Sequence, residues 1–361
     1  MVVDPVALER VVPGTLANDE ITEPPLFNTI GQHSTAGAAA RGVPNGQECG
    51  KRGMAAVDLL HLPAEWPKGN FSVKGPPVIP SSTSCPACIS ATEPSVVYTV
   101  RSFPIERCPG CGHGRTIVPP GFRSEDIYQE SYFDGGVADG YSDYLGAAGV
   151  LKVEFSQAVR ALRASGCFQG RLLEIGSAYG FFLSAAQPYF DVRGIEIVPE
   201  AVEYSSQQGL SVACGAVSAD LLARHSPLDA VVMLDVIEHL EDPIEALRAI
   251  GSNLGPGGHL MITTGDWDSV LSRLMGKRWR LMTPPQHLHF FTKRSLLSSL
   301  EQNGFEIVSF RRPTKRVSLN LILFQWNRML GRTPRRGRRF QNVGIPVNLF
   351  DAMRVIAKKR E

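Results

Sequence analysis

The stretch Arg171-Leu-Leu-Glu-Ile-Gly-Ser-Ala-Tyr-Gly-Phe-Phe-Leu183 reads as an apolar strand, a turn of small residues and the start of a helix. Gly176 lets the backbone approach a ligand closely. Gly180 opens a helix whose N-terminus favours a carboxylate or phosphate. A G-x-x-x-G turn is also a plain strand-to-helix connection in many α/β proteins, so its meaning depends on the next strand. That strand, Asp191-Val-Arg-Gly-Ile-Glu196, ends in an acid about 20 residues beyond the glycines, where a ribose diol would take up bidentate hydrogen bonds.

Such a pairing suits a dinucleotide or S-adenosylmethionine, and two features favour the latter. Ala178 stands where a G-x-G-x-x-G loop needs its second glycine, and the final glycine comes too early. Glu174 lies inside the strand end, where it suits a cationic amino acid group and would repel a pyrophosphate. The third element, Asp229-Ala-Val-Val-Met-Leu-Asp-Val-Ile-Glu-His-Leu-Glu-Asp-Pro243, is a buried strand ending at Asp235, at the carboxyl edge where open sheets bind ligands. Glu238-His239 reads equally as a functional pair or as a helix start satisfying local backbone.

Glu174-x-Gly176-x-x-x-Gly180, Glu196, Asp235-x-x-Glu238-His239 and Leu254-x-Pro256-Gly257-Gly258 together resemble the class I methyltransferase fold over residues 150–264, notably a broad bacterial subfamily with an E-H-L signature. The resemblance implies an α/β, Rossmann-like sheet of seven strands with the last antiparallel, for which Arg354 to Lys358 suits the closing strand. It also implies S-adenosyl-L-methionine as cofactor, held by Glu174, Gly176, Ser177, Tyr179, Gly180, Glu196, Ile197 and Asp235. After strand three the family often sets an acid against adenine. Here Cys214-Gly-Ala-Val217 stands instead, which implies a backbone contact.

The coarse pattern supports alternating elements: helix 150–165, strand 171–175, helix 179–187, strand 191–197, helix 199–208 and strand 211–213, then strand 229–234, helix 242–253 and strand 259–264. Helix 292–303, strand 305–312 and strand 352–358 follow. Asp242-Pro243 and Thr292 are helix-start signals, Gly304 is a stop, and 254–258 is a turn.

A hydroxyl or amine acceptor benefits from a base. Thr283-Pro-Pro-Gln-His-Leu-His-Phe-Phe-Thr292 offers two, because His287 and His289 face one side of an extended stretch. They are the first candidates and His239 the next, against readings as packing histidines or metal ligands. The stretch also belongs to the resemblance. It lacks the Y-H-E-H of a related sugar C-methyltransferase group, which weighs against C-methylation. The aromatic, Gly-rich segment 121–149 is expected to fold over the cofactor as a lid.

Cys85-Pro-Ala-Cys88, nineteen intervening residues and Cys108-Pro-Gly-Cys111 have the spacing of a four-thiolate zinc ribbon over 81–120. An odd total of seven cysteines argues against a disulfide framework. Residues 1–80 hold ten of the 26 prolines and no sustained periodicity, so they are expected to be disordered, and Met54 is a second candidate start. Arg311 to Phe340 carries ten Lys or Arg and no acid. That basic amphipathic insertion (about 313–345) reads as a helix over the acceptor pocket or, through 317–339, as a contact for an anionic membrane or lipid carrier.

A net charge of +2 gives no general affinity for nucleic acid. No uncharged apolar run reaches the roughly 18 residues of a membrane span. The expectation is a cytoplasmic methyltransferase of a small molecule, a sugar or sugar-containing metabolite among the options, with O-methylation ahead. A nucleic-acid methyltransferase gripping with ribbon and Arg-rich segment is the alternative, disfavoured by the absence of an N/D-P-P-Y-like stretch after strand four. A non-catalytic scaffold and a nicotinamide oxidoreductase stand behind it.

Overall fold

Three short antiparallel strands come first, β1 (Ser95–Val100), β2 (Phe103–Arg107) and β3 (Gly114–Thr116). Between β2 and β3 lies the second cysteine knuckle, and the first precedes β1. The computed structural model describes residues 85–88, 93–127, 144–319 and 343–361, all within one unit, Cys49–Glu361. The expected disorder of 1–80, the lid residues 128–143 and most of the basic insertion (320–342) lie outside the described residues.

Helix α1 (Ala148–Ala164) leads into β4 (Arg171–Ile175), α2 (Phe181–Ala186), β5 (Asp191–Glu196), α3 (Pro199–Gln207), β6 (Val212–Cys214), α4 (Ala219–Ala223) and β7 (Leu228–Leu234). Then come α5 (Pro243–Asn253), β8 (Leu254–Gly265), α6 (Val270–Met275), β9 (His289–Phe290), α7 (Lys293–Gln302) and β10 (Phe305–Arg311). A ribbon of β11 (Lys315–Ser318) and β12 (Gly344–Val347) precedes β13 (Ala352–Lys359).

The main sheet has seven strands in the order β10-β13-β8-β7-β4-β5-β6. β4 through β8 pair in parallel, and β13 runs antiparallel between β8 and β10. The expected seven-stranded sheet with an antiparallel final strand is therefore the fold. Alternation explains why the central strands read as unbroken apolar runs. Leu173, Ile175, Val231 and Met233 pack one face with Ile244 and Leu247 of α5 and Leu296 and Leu300 of α7. Leu172, Ala230 and Val232 pack the other with Ala158 and Leu162 of α1 and Phe182 of α2. Burial on both faces removes any need for polar alternation.

Local chemistry sets the boundaries. Asp242 accepts from the Ile244 and Glu245 amides at 3.1 and 2.9 Å, capping α5. Thr292 and Ser295 cap each other's backbone at the start of α7, satisfying donors that the helix cannot. The turn expected at 254–258 is instead absorbed into β8, because Leu254 already pairs with Leu228 and the register then shifts before Ala230. α4, capped by the Ser218 side chain, was not anticipated.

The small sheet is not confined to the cysteine segment. β9 adds to β3, with Gly114 opposite Phe290 and Arg115 opposite His289, so the order is β1-β2-β3-β9. A strand of the larger domain thereby completes the ribbon's sheet and fixes it beside the carboxyl edge of β7.

Candidate functional site

At the end of β4 the chain turns at Gly176 (φ 72°), Ala178 (φ 45°) and Gly180 (φ 72°) before α2 begins. A Cβ on Gly176 would come within 2.5 Å of the Val236 side chain. Conformation and space both therefore require glycine there. The turn borders a cavity of about 690 Å³ over the carboxyl edges of β4, β5 and β7. Glu174, Gly176, Glu196, Ile197, Asp235, His239 and His287 of the expected set line it; Ser177, Tyr179, Gly180 and His289 do not.

Glu196 is buried at the end of β5. Its Oε2 accepts from the Ala178 amide at 2.7 Å, and its Oε1 accepts from the Ile197 and Val198 amides, both at 2.9 Å. Burial pushes its carboxyl up, against the pull of those three donors. Of about four lone-pair sites on the carboxylate three are filled, which leaves one, on Oε2. The carboxylate expected to grip a ribose diol is thus already engaged by three backbone amides. The same side chain braces the glycine turn.

Glu174 has the opposite character. It is buried, and its Oε2 has no hydrogen-bond partner among the described residues. Burial first, and Glu196 beside it second, hold its carboxyl well above the usual range. A buried carboxyl oxygen without a partner is a demand for a cation or a donor.

Tyr179 and Gly180 act behind the cavity wall. Tyr144 stacks on Phe181 with ring centroids 5.5 Å apart, and Tyr179 meets Tyr204 edge-on at 5.1 Å. Tyr144 belongs to the segment expected as a lid and lines the cavity.

Asp235 ends β7 at φ 58°, a conformation costly for a non-glycine residue. Its carboxylate pairs with Lys315 of β11, which also meets Glu154 of α1 at 3.4 Å. Burial opposes the charge on Lys315, yet Asp235 and Glu154 together raise its ammonium above the usual range. Glu154 also accepts from the Arg316 amide at 2.8 Å, so the β11–β12 ribbon is tied to α1 across the cavity. Lys315 and Glu154 were missed in the sequence. The signal was there: Val150, Glu154, Ala158 and Leu162 recur every four residues, placing an acid on the buried face of α1.

At the other end stand Glu238, His239 and His287, one ligand atom of each within 4.8 Å of the others. Burial and Asp235 push Glu238 up to about 8, and its Oε2 has no hydrogen-bond partner among the described residues. His239 Nδ1 lies 2.9 Å from the Gln286 carbonyl, and the two rings meet edge-on with centroids 4.7 Å apart. Burial lowers both imidazoles, His287 further with His239 beside it, so both are neutral at physiological pH. His289 corrects the expectation that it shares a side with His287. The chain becomes a regular strand only at His289, so the two-residue parity does not reach back to His287. His289 Nδ1 instead lies 3.1 Å from His113 Nε2, inside the contact with the ribbon.

The four cysteines converge. Their sulfurs all lie within 4.8 Å of one another, with Cys85–Cys111 at 3.6 Å and Cys88–Cys108 at 3.7 Å. A tetrahedral zinc with ~2.3 Å bonds to sulfur sets its ligands about 3.8 Å apart, so the donor set fits that ion. The Cys111 carbonyl accepts from Thr292 Oγ1 at 2.9 Å, joining the knuckle to the cap of α7.

The strand order of the sheet is that of the Rossmann-like methyltransferase fold, with the glycine turn and the acids of β4 and β5 at its carboxyl edge. Residues 151–310 match the family model described as a methyltransferase domain. Among curated proteins the chain is similar to the ubiquinone biosynthesis O-methyltransferase of Cupriavidus pinatubonensis, 26% identical over 39% of this chain and 62% of that protein. It is also similar to the protein of the same name from Xanthomonas campestris, 31% identical over 35% of this chain and 54% of that one. The chain thus spans a little over half the length of these two relatives. Among solved structures, an S-adenosylmethionine-dependent methyltransferase from Clostridium acetobutylicum aligns over 58% of this chain and 92% of its own, at 10% identity and a TM-score of 0.40. The open Oε2 of Glu174, without a partner among the described residues, and the cradle at Gly176 fit S-adenosylmethionine, whose amino acid end carries an ammonium.

Proposed function

We propose that the chain is an S-adenosylmethionine-dependent methyltransferase acting on a hydroxyl of a small molecule, with a zinc-loaded ribbon as its structural anchor. The single observation that carries this reading is the buried Glu174, whose Oε2 has no hydrogen-bond partner among the described residues, beside a glycine turn that Glu196 braces. S-adenosylmethionine supplies an electrophilic methyl on a cationic sulfur. When it is bound, Glu174 would hold its ammonium and Glu196 would accept from a ribose hydroxyl. Neither interaction involves the His239–His287 end, which is left for the acceptor.

There the chain's task is mainly to hold the acceptor oxygen in line, since proximity supplies much of the acceleration in a displacement of this kind. His287 and His239, both neutral, take up the hydroxyl proton. His289 is held by His113 and acts through position alone. The apolar walls, including Tyr144 and Leu151, exclude water from the transfer. The names of the curated relatives support oxygen as the nucleophile, and no helix among the described residues is long and apolar enough to cross a membrane. Action in the cytoplasm on a soluble acceptor accords with this.

Calorimetry with S-adenosylhomocysteine tests the cofactor half, and transfer of labelled methyl to a panel of small phenols and sugar nucleotides tests the acceptor half. Absence of binding at millimolar ligand would refute the reading.

A further inference from the structure

The starts of β11 and β13 form the wall of the cavity that meets Asp235, and they bring Lys315, Arg316 and Arg354 to it. Lys315 is matched by Asp235 and Glu154. The two guanidiniums are not matched in this way, since neither forms an ion pair among the described residues. We propose that the methyl acceptor carries an oxyanion, a carboxylate or a phosphate, and that Arg316 and Arg354 bind it.

The charges on this wall do not balance. Three cations, Lys315, Arg316 and Arg354, face two carboxylates, Asp235 and Glu154, which leaves one positive charge over. Glu238 also feels Lys315, but burial and Asp235 push it up to about 8, so at pH 7 it is mostly protonated. Arg280 lines the same cavity and is already matched, donating from Nε and Nη2 to Asp351 at 3.0 Å each. The acids at the rim are engaged elsewhere: Glu241 accepts from the Ser124 amide at 2.8 Å, and Asp242 caps α5.

The unmatched donors are partly withdrawn from water. Arg316 Nε is buried with no hydrogen-bond partner, and the one side-chain bond of Arg354 among the described residues runs from Nε to Thr263 Oγ1 at 3.4 Å. Burial lowers the Arg354 guanidinium, against the pull of Glu154 and Asp235. A guanidinium offers five donors in a planar fork that fits two oxygens of a carboxylate or phosphate, and such bonds are the strong ones. Both arginines stand on paired backbone. Arg354 lies opposite Thr263 of β8, and the Arg316 amide donates to Glu154 Oε2 at 2.8 Å. An acceptor tethered here by its anion, with its hydroxyl at the His239–His287 end, is fixed at two points, as an in-line transfer requires. A neutral analogue would leave the guanidiniums unpaired and be rejected for that reason.

That the ligand is the methyl acceptor rests on the methyltransferase reading; that this wall binds an oxyanion does not. Full-length protein, with and without S-adenosylhomocysteine, is titrated calorimetrically with inorganic phosphate and with benzoate, and at least one should bind. Arg316→Gln and Arg354→Gln should each weaken that binding at least roughly 10-fold, the scale of one charge-assisted hydrogen bond, with affinity for S-adenosylhomocysteine unchanged. Phosphate alone would identify a phosphorylated acceptor, benzoate alone a carboxylated one. Binding of neither anion, or equal binding by wild type and folded variants, overturns the proposal. Folded variants that lose S-adenosylhomocysteine overturn it as well, because the arginines would then hold the carboxylate of the cofactor. Should the variants fail to fold, wild-type crystals soaked in tungstate or 4-bromobenzoate decide: anomalous density is expected beside the two guanidiniums, and its absence there sinks the site. A wild type that binds an anion at this wall but no S-adenosylhomocysteine would keep the oxyanion site and remove the methyltransferase reading.

Discussion

Replacing Glu174 by Gln separates its role in stability from its role in binding. Its folded-state carboxyl is held well above the ordinary value by burial and by Glu196, so the folded chain retains a proton there that the unfolded chain releases. Stability must then fall as pH rises above the unfolded value, and the loss continues until the folded group itself ionises. Gln mimics the protonated acid and removes this penalty. Glu174→Gln should therefore match wild type near pH 4 and exceed it near pH 8, as read by denaturant midpoints at each pH. Cofactor affinity moves the other way. A hydrogen bond to a charged group is worth about 1.5–3 kcal/mol, so S-adenosylhomocysteine should bind roughly 10- to 150-fold more weakly. Wild-type affinity should also climb with pH while that of the variant stays flat. A variant less stable than wild type at pH 8, or equal in affinity, would refute the reasoning.

Glu196→Ala strands three backbone donors, two of them buried, and should cost stability as well as affinity, about 1–3 kcal/mol for each donor that water does not reach, by chemical denaturation. Gly176→Ala meets the Val236 side chain in a strained conformation, so cofactor binding should drop while truncation of Val236 to Ala partly restores it in calorimetry. Cys108→Ser should reduce bound zinc by one equivalent in mass spectrometry and lower the thermal midpoint, because β9 and Thr292 lean on the ribbon. Lys315→Met leaves Asp235 and Glu154 facing one cavity without their shared cation, and the stability it loses should be greater at pH 8 than at pH 4.

The central strands were legible because burial on both faces writes itself as uninterrupted apolar residues, as in Ala230 to Leu234. The caps at Asp242 and Thr292 were legible because their chemistry is local. Glu174, Glu196 and Asp235 could be read because each ends a recognisable strand. What the sequence concealed was tertiary. β9 is two residues long and exists only because β3 offers an edge, so no periodicity announces it. The same pairing turns His289 away from the cavity. Lys315 sits eighty residues beyond Asp235 in a stretch whose other cations suggested a solvated surface; only the return of the β11–β12 ribbon brings it to the sheet. The three amides on Glu196, from Ala178 in the turn and from Ile197 and Val198 just after β5, converge only in the folded chain.

The most direct test of the whole account is a crystal structure of the full chain soaked with S-adenosylhomocysteine. Density should show its ammonium at Glu174 Oε2 and one ribose hydroxyl at Glu196 Oε2, with the sulfur pointing toward His239 and His287. A cavity that stays empty, or that takes a pyrophosphate across the glycine turn, would contradict it.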